Sequence, residues 1–198
     1  MTGTAWNEEH HKIPLGSSSS KNPQPFVAAP FQRTLLDIMC AEGMGYKRIN
    51  CIKSSRIGWT FVLMGVMMYQ LGRARRNVTY FAATEQDAKD ITKDTIDPTF
   101  AICKPVADAI EQIQKKREHD TATFKNLNGK NLRIYGAGSG RAYRHYPCDT
   151  VILDELDEYP SEVGGSGEKS QGHAVTLASN RVLTSGRGGM IVAGTSYQ

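Results

Sequence analysis

KSSRIGWT, residues Lys53 to Thr60, stands between a β-leaning run, Arg48 to Ile52, and an apolar run, Phe61 to Leu71, that reads as a buried helix. A strand, a glycine-bearing turn and a helix form the unit that binds phosphate through backbone N–H groups at a helix start. The common form of that loop is G-x-x-x-x-G-K-S/T, with the lysine on the β/γ oxygens and the hydroxyl on magnesium. Aligned to it, Gly58 and Thr60 fit, Trp59 stands in the lysine's place, and Lys53 stands where the first glycine should be. The charge is displaced and still present: a lysine at the strand's end is long enough to reach across to the phosphates. Taken alone, the same pattern also suits plain scaffold.

Further along the chain, strand-like and helical stretches alternate. The face Leu35, Leu36, Ile38, Met39 predicts a helix that Gly43 and Gly45 end. Val78 to Ala83 reads as a strand, Thr84 as the N-cap of the next helix, and Pro98 to Arg117 as a further helical stretch. Asn128-Gly129 marks a hairpin between Thr121–Phe124 and Asn131–Tyr135. Ala174 to Leu183 predicts a helix and Met190 to Ala193 a last strand. This alternation argues for an α/β fold with a mainly parallel central sheet flanked by helices, an inserted β-hairpin, and ligands at the carboxyl ends of the strands. Residues 1–29, polar and broken by prolines and the Ser17–Ser20 run, are expected to be a flexible arm, leaving 30–198 as one folded domain.

Thr150-Val151-Ile152-Leu153 is an apolar run of the kind found in strands covered on both faces, and Asp154-Glu155 follows it directly. Such a pair suits magnesium-assisted attack of water on a phosphoanhydride: Asp154 in the metal shell, Glu155 polarising the water. The bland alternative is an acidic start to the following helix. That alternative leaves the upstream loop as a coincidence.

Charge is segregated in the same sense. The chain of 198 residues has a net charge of only +4, but residues 31–76 carry eight Lys/Arg against two acids. Residues 121–148 carry five Lys/Arg and no acid, and residues 149–168 seven acids and no base. Cationic donors beside an acidic, cation-binding cluster fit a phosphate-handling site, as does ordinary solvated surface. The longest uncharged apolar run, Phe61 to Tyr69, is far short of the ~20 residues of a membrane span, so no membrane association is expected. Cys40, Cys51, Cys103 and Cys148 have no paired spacing and are expected to be packed thiols. His10-His11 lacks a third ligand and is not expected to hold a metal.

Phe31-Gln32-Arg33, KSSRIGWT, LDELDEYP and the closing Gly194-Thr195-Ser196 together resemble the ATPase half of the large terminase subunit of tailed bacteriophages. The resemblance is to the lambda-type branch, the phage terminase GpA family, and covers about residues 26–198. It implies a P-loop NTPase fold of the ASCE, RecA-like kind, with ATP and magnesium as ligands and the lysine at the start of the loop. By position it implies that Gln32 reads adenine and that Lys53, Ser54, Ser55, Arg56, Ile57, Gly58, Trp59 and Thr60 form the nucleotide loop. Within that loop Thr60 ligates the metal and Arg56 contacts the γ-phosphate. Asp154 and Glu155 match the metal and water pair, and Thr195 and Ser196 the coupling motif. It implies a motor that packages double-stranded DNA, with a small terminase subunit, a portal protein and further copies of itself as partners. The motor acts in the host cytoplasm, docked transiently on the procapsid, and is not part of the mature virion.

The family's large subunits continue into an RNase H-like nuclease, and no nuclease activity is expected of residues 1–198. The family's arginine finger comes from a neighbouring subunit. Arg141 and Arg144, in GSGRAYRHYP, are the local candidates; either could instead contact DNA or a structural acid such as Asp149. Arg73, Arg75, Arg76 and the basic residues from Lys125 to Arg144 are candidates for gripping a phosphate backbone. A helicase-like nucleic-acid-dependent ATPase and a non-hydrolysing nucleotide-binding assembly module are the competing readings.

Overall fold

In the computed structural model the elements in chain order are α1 (Gly3–His10), β1 (Lys12–Ile13), β2 (Gln24–Pro25), α2 (Pro30–Cys40), β3 (Arg48–Lys53), α3 (Trp59–Met68), β4 (Val78–Ala82), α4 (Glu85–Ile91), α5 (Asp97–Ile102), α6 (Lys104–Gln114), β5 (Phe124–Leu127), β6 (Lys130–Gly136), β7 (Thr150–Leu153), α7 (Ala174–Val182) and β8 (Met190–Ser196). The structure describes residues 1–14, 22–41, 48–54, 56–114, 123–127, 129–146, 148–165, 167, 170–183, 185 and 188–196. The Ser17–Ser20 run, Gly43, Gly45, Ser55 and Asn128 lie outside the described residues.

A six-stranded sheet in the order β3-β8-β7-β4-β6-β5 organises the molecule. Its first five strands are parallel, and β5 closes one edge as the antiparallel partner of β6, the expected hairpin. β4 and β7 are buried at every position, which only a sheet covered on both faces permits. Alternation sends Tyr80, Ile134, Ile152 and Val192 to a core with α2 and α3, and Phe81, Val151, Leu153 and Ile191 to a smaller one with α7. At the amino ends of the strands Asn77 stitches neighbours together. Its carbonyl accepts from Asp149 and Thr150 N–H, its N–H donates to Asp149 Oδ2, and its Oδ1 accepts from Asn131 N–H.

Thr84 caps α4 as predicted: its hydroxyl accepts from Asp87 N–H while the Asp87 carboxylate accepts from Thr84 N–H. The helix expected over Pro98–Arg117 is two helices broken at Cys103, ahead of Pro105. α3 begins at Gly58 in the left-handed region, φ 71°, and continues beyond Met68 through a π-helical turn over Tyr69–Arg73. Its residues from Val62 to Met68 are all buried, so it is a central helix without a solvent face.

The largest correction concerns the flexible arm expected over residues 1–29. Within its described part α1, His11, Phe26 and Ala28 are packed, while Gln24, Pro25 and Val27 are exposed. α1 lies against α2, with Thr4 N–H donating to Asp37 Oδ1 and the Thr4 hydroxyl to the Arg33 carbonyl. Arg33 Nη2 meets Glu8 Oε1 at 2.8 Å. Trp6 is buried edge-on to Tyr69, ring centres 5.5 Å apart, and His11 stacks on Phe26 at 4.6 Å. A side chain at Gly3 would place its Cβ 2.4 Å from the Leu36 carbonyl, so glycine is what lets the two helices touch. GTAWNEEH is too short and too polar to be a helix by itself; tertiary contact holds it.

Candidate functional site

Because β3, β8 and β7 run parallel, their carboxyl ends emerge side by side. Lys53 pairs in register with Ser196, and Asp154-Glu155 follow Leu153 directly. Lys53, Ser54, Arg56, Ile57, Gly58, Trp59, Thr60, Phe61, Glu155 and Ser196 line one cleft of about 410 Å³. A second, acidic cleft of about 370 Å³, with Asp87, Asp157 and Glu158, adjoins it through the shared Glu155 and Ser196. The loop that looked rearranged in sequence and Glu155 therefore share a cleft, and Asp154 lies behind it, bonded to Trp59.

The loop turns through two left-handed residues, Arg56 (φ 60°) and Gly58 (φ 71°), the first of them uncommon for a side chain other than glycine. It leads into α3, whose first N–H groups lie at the end where an anion is favoured. Lys53 Nζ donates to Ser196 Oγ at 3.1 Å, and Ser196 N–H donates to Asp157 Oδ1 at 3.0 Å. The end of β8 thus ties the loop's lysine to the acidic segment. Thr195 is held beside Ile52 by strand register.

Gln32 is nearly buried at the start of α2 and faces the loop. Its Oε1 accepts from Ala29 N–H at 3.0 Å and its Nε2 donates to the Ile57 carbonyl at 2.9 Å. An amide has a further acceptor site and a further N–H, so this bracing leaves Gln32 half of its hydrogen-bonding capacity.

The acidic neighbours differ. Asp154 is buried, its carboxylate accepting from Trp59 Nε1 (3.0 Å), the Tyr80 hydroxyl (2.9 Å) and Glu155 N–H (3.1 Å). Glu155 is exposed to the cleft on a left-handed backbone, φ 53°. Partial burial, with Asp154 beside it, raises the Glu155 carboxyl above its usual range, and Lys53 offsets part of the shift. Burial followed by Asp154 pushes the Tyr80 hydroxyl well up, so it remains a donor.

Among the described residues no three His, Cys, Asp or Glu converge on a point, so the protein does not build a closed metal cage there. Asp154 and the Thr60 hydroxyl are hard oxygen donors beside one cleft. That set suits magnesium, which takes one or two protein oxygens and completes its shell with water and phosphate.

Arg141 and Arg144 are exposed in the turns between β6 and β7, and neither lines the cleft. The Arg144 carbonyl accepts from Arg181 on α7. Asp149, their suggested acid, is engaged by Asn77 N–H and the Ser185 hydroxyl. Trp59, counted in sequence as part of the nucleotide loop, has its indole buried against Gly194 and Asp154. Tyr80 and Gly194 were not legible as site residues, although a glycine inside a strand signals close approach of another group.

The sequence matches, over residues 19–197, the family described as phage terminase large subunit gpA, ATPase domain. It is 27% identical over 168 residues to the terminase large subunit of Enterobacteria phage P21 and 26% identical over 168 residues to that of Escherichia phage lambda. Each alignment covers 84% of this chain and 26% of the relative, so the chain spans about a quarter of their length. The fold is similar to the HK97 bacteriophage large terminase, with a TM-score of 0.68 at 16% identity over 99% of this chain and 38% of that one. It is also similar to the large terminase ATPase domain of Thermus phage P74-26, with a TM-score of 0.54 at 17% identity over 86% of this chain and 65% of that one.

Proposed function

Since the chain belongs to the phage terminase large subunit gpA ATPase-domain family, we propose that it is the ATP-hydrolysing motor domain that powers packaging of double-stranded DNA into a procapsid. One observation carries the reading: Lys53, Thr60 and Glu155 open onto a single cleft at the carboxyl ends of parallel strands, with Asp154 behind it.

The triphosphate lies over the start of α3, where backbone N–H groups and the helix dipole favour anions. Lys53 leaves Ser196 for the phosphate oxygens, and Arg56 reaches the γ-phosphate from its exposed position. Gln32 reads adenine with the donor and acceptor its bracing leaves over. Magnesium, held through Asp154 and Thr60, supplies charge neutralisation on the phosphates. Glu155 orients the attacking water and takes its proton; its raised pKa brings it closer to neutrality, where a general base works best.

Release of Lys53 from Ser196 alters the end of β8, which supports Thr195-Ser196 as the coupling segment. Exposed Arg141 and Arg144 suit a finger delivered to a neighbouring copy, and Arg73, Arg75, Arg76 with Lys130, Arg141 and Arg144 suit a non-specific phosphate grip, whereas Lys125, a candidate in sequence, is buried and paired with Asp97. The small terminase subunit and the portal protein complete the proposed assembly. It acts in the host cytoplasm.

The test is magnesium-dependent ATP hydrolysis by the wild type, Lys53→Ala and Glu155→Ala, with nucleotide binding measured beside it. Glu155→Ala is expected to bind and not turn over, and Lys53→Ala to lose most of both. Full activity in Lys53→Ala would falsify the displaced-lysine mechanism.

A further inference from the structure

Trp59 occupies the slot where the common loop carries its lysine, yet the residue is 5% exposed and its indole packs against Asp154 and Gly194. A carboxylate oxygen offers about two acceptor sites. Asp154 Oδ1 receives two donors, Trp59 Nε1–H and Glu155 N–H, while Oδ2 receives one, the Tyr80 hydroxyl. A single acceptor site, on Oδ2, is left over. We infer that Trp59 is a positioning residue that latches Asp154 to the start of α3, so that Asp154 meets the nucleotide-bound cation, or a water on it, through Oδ2 alone.

Gly194 is the counterpart of the latch. A Cβ there would lie 2.7 Å from Trp59 Nε1 and 3.0 Å from two further indole atoms, so any side chain on β8 at this point displaces the ring. The indole thus joins three elements: the phosphate loop, the strand bearing Asp154 and the strand leading to Thr195-Ser196. A bare carboxylate at the end of β7 could rotate and offer the cation two oxygens. The three donors fix its plane, and they do so at low dielectric, where a satisfied network is rigid.

This inference rests on the ATPase reading of the cleft, and the experiment separates the two. ADP binding is measured calorimetrically in magnesium and in chelator for the wild type, Trp59→Phe and Gly194→Ala. The wild type is expected to bind ADP more tightly with magnesium. In Trp59→Phe, which keeps ring bulk and loses the N–H, that magnesium enhancement is expected to fall roughly tenfold, the loss typical of a hydrogen bond to a charged group. Gly194→Ala keeps the indole but displaces it, and the same fall is expected there, which decides the matter if Trp59→Phe does not fold. A folded variant with the wild-type enhancement overturns the latch, because an indole that only fills the core affects stability and leaves the magnesium effect intact. A wild type with no magnesium enhancement overturns the ATPase reading, and the latch with it.

Discussion

The two ends of α3 are built on opposite principles. At its amino end the chain turns through left-handed Arg56 and Gly58, and exposed or half-buried polar groups surround a cleft. At its carboxyl end Met64, Met67, Met68 and Leu71 are inaccessible to solvent, and Trp6 of α1 closes over Tyr69. One end leaves polar groups around a cleft. The other buries its large apolar side chains in the main core. Substitutions of the exposed groups at the first end, such as Glu155, should change chemistry and leave stability alone, and those of the buried side chains at the second should do the reverse.

The sharpest way to break this contrast is Glu155→Gln. Loss of the base is expected to lower turnover by roughly 10²- to 10⁴-fold with the thermal midpoint unchanged, read by steady-state hydrolysis beside calorimetric melting. In the wild type, burial and Asp154 disfavour the charged form of Glu155, so the acid limb of the pH profile should lie above the ordinary glutamate range. A limb at the ordinary value counts against Glu155 as the base. Next comes Trp6→Ala at the other end. Removing a large buried aromatic is expected to cost about 3–5 kcal/mol in denaturant unfolding. ADP affinity of the folded protein should stay within about twofold; a larger change would mean that the two ends are coupled.

His11 sharpens the comparison by pH. It is buried against Phe26 without a hydrogen-bond partner on either ring nitrogen, and burial lowers its pKa from 6.5 to about 3. The folded state therefore keeps His11 neutral while the unfolded chain takes up a proton below about pH 6.5. Stability is complete above that pH and falls as pH drops towards 3. At pH 4.5 the loss should be on the order of 2–3 kcal/mol. Facing the ring are Phe26 and Phe61, without charge to compensate. In denaturation curves, His11→Phe should flatten the dependence between pH 4.5 and 7. The smallest effect is expected for Arg141→Ala and Arg144→Ala, below about twofold on ADP affinity, because neither guanidinium lines the cleft of its own chain.

Legibility in the sequence followed the range of the forces. The largely apolar runs at β4, β7 and β8 and the glycine turn at Gly58 are local signals, and the parallel sheet follows from them. Gly3–His10 carries no such signal, because its helix exists through the Arg33–Glu8 pair, the Thr4 contacts and the burial of Trp6. The break at Cys103 was hidden by apolar periodicity running through Pro105.

Sequence order by itself determined that a displaced lysine, a helix-starting Gly58–Thr60 turn and an Asp-Glu pair after an apolar strand would be present, because turn chemistry and hydrophobic period are written in adjacent residues. Which groups meet was decided only by the tertiary structure. Inserting β8 between β3 and β7 brings Gly194 under the Trp59 indole and Ser196 to Lys53, across separations in sequence that no local pattern spans. Trp59 in the lysine's slot looked like a defect in the loop. In three dimensions its N–H is committed to the buried carboxylate of Asp154, because a buried carboxylate needs hydrogen-bond donors.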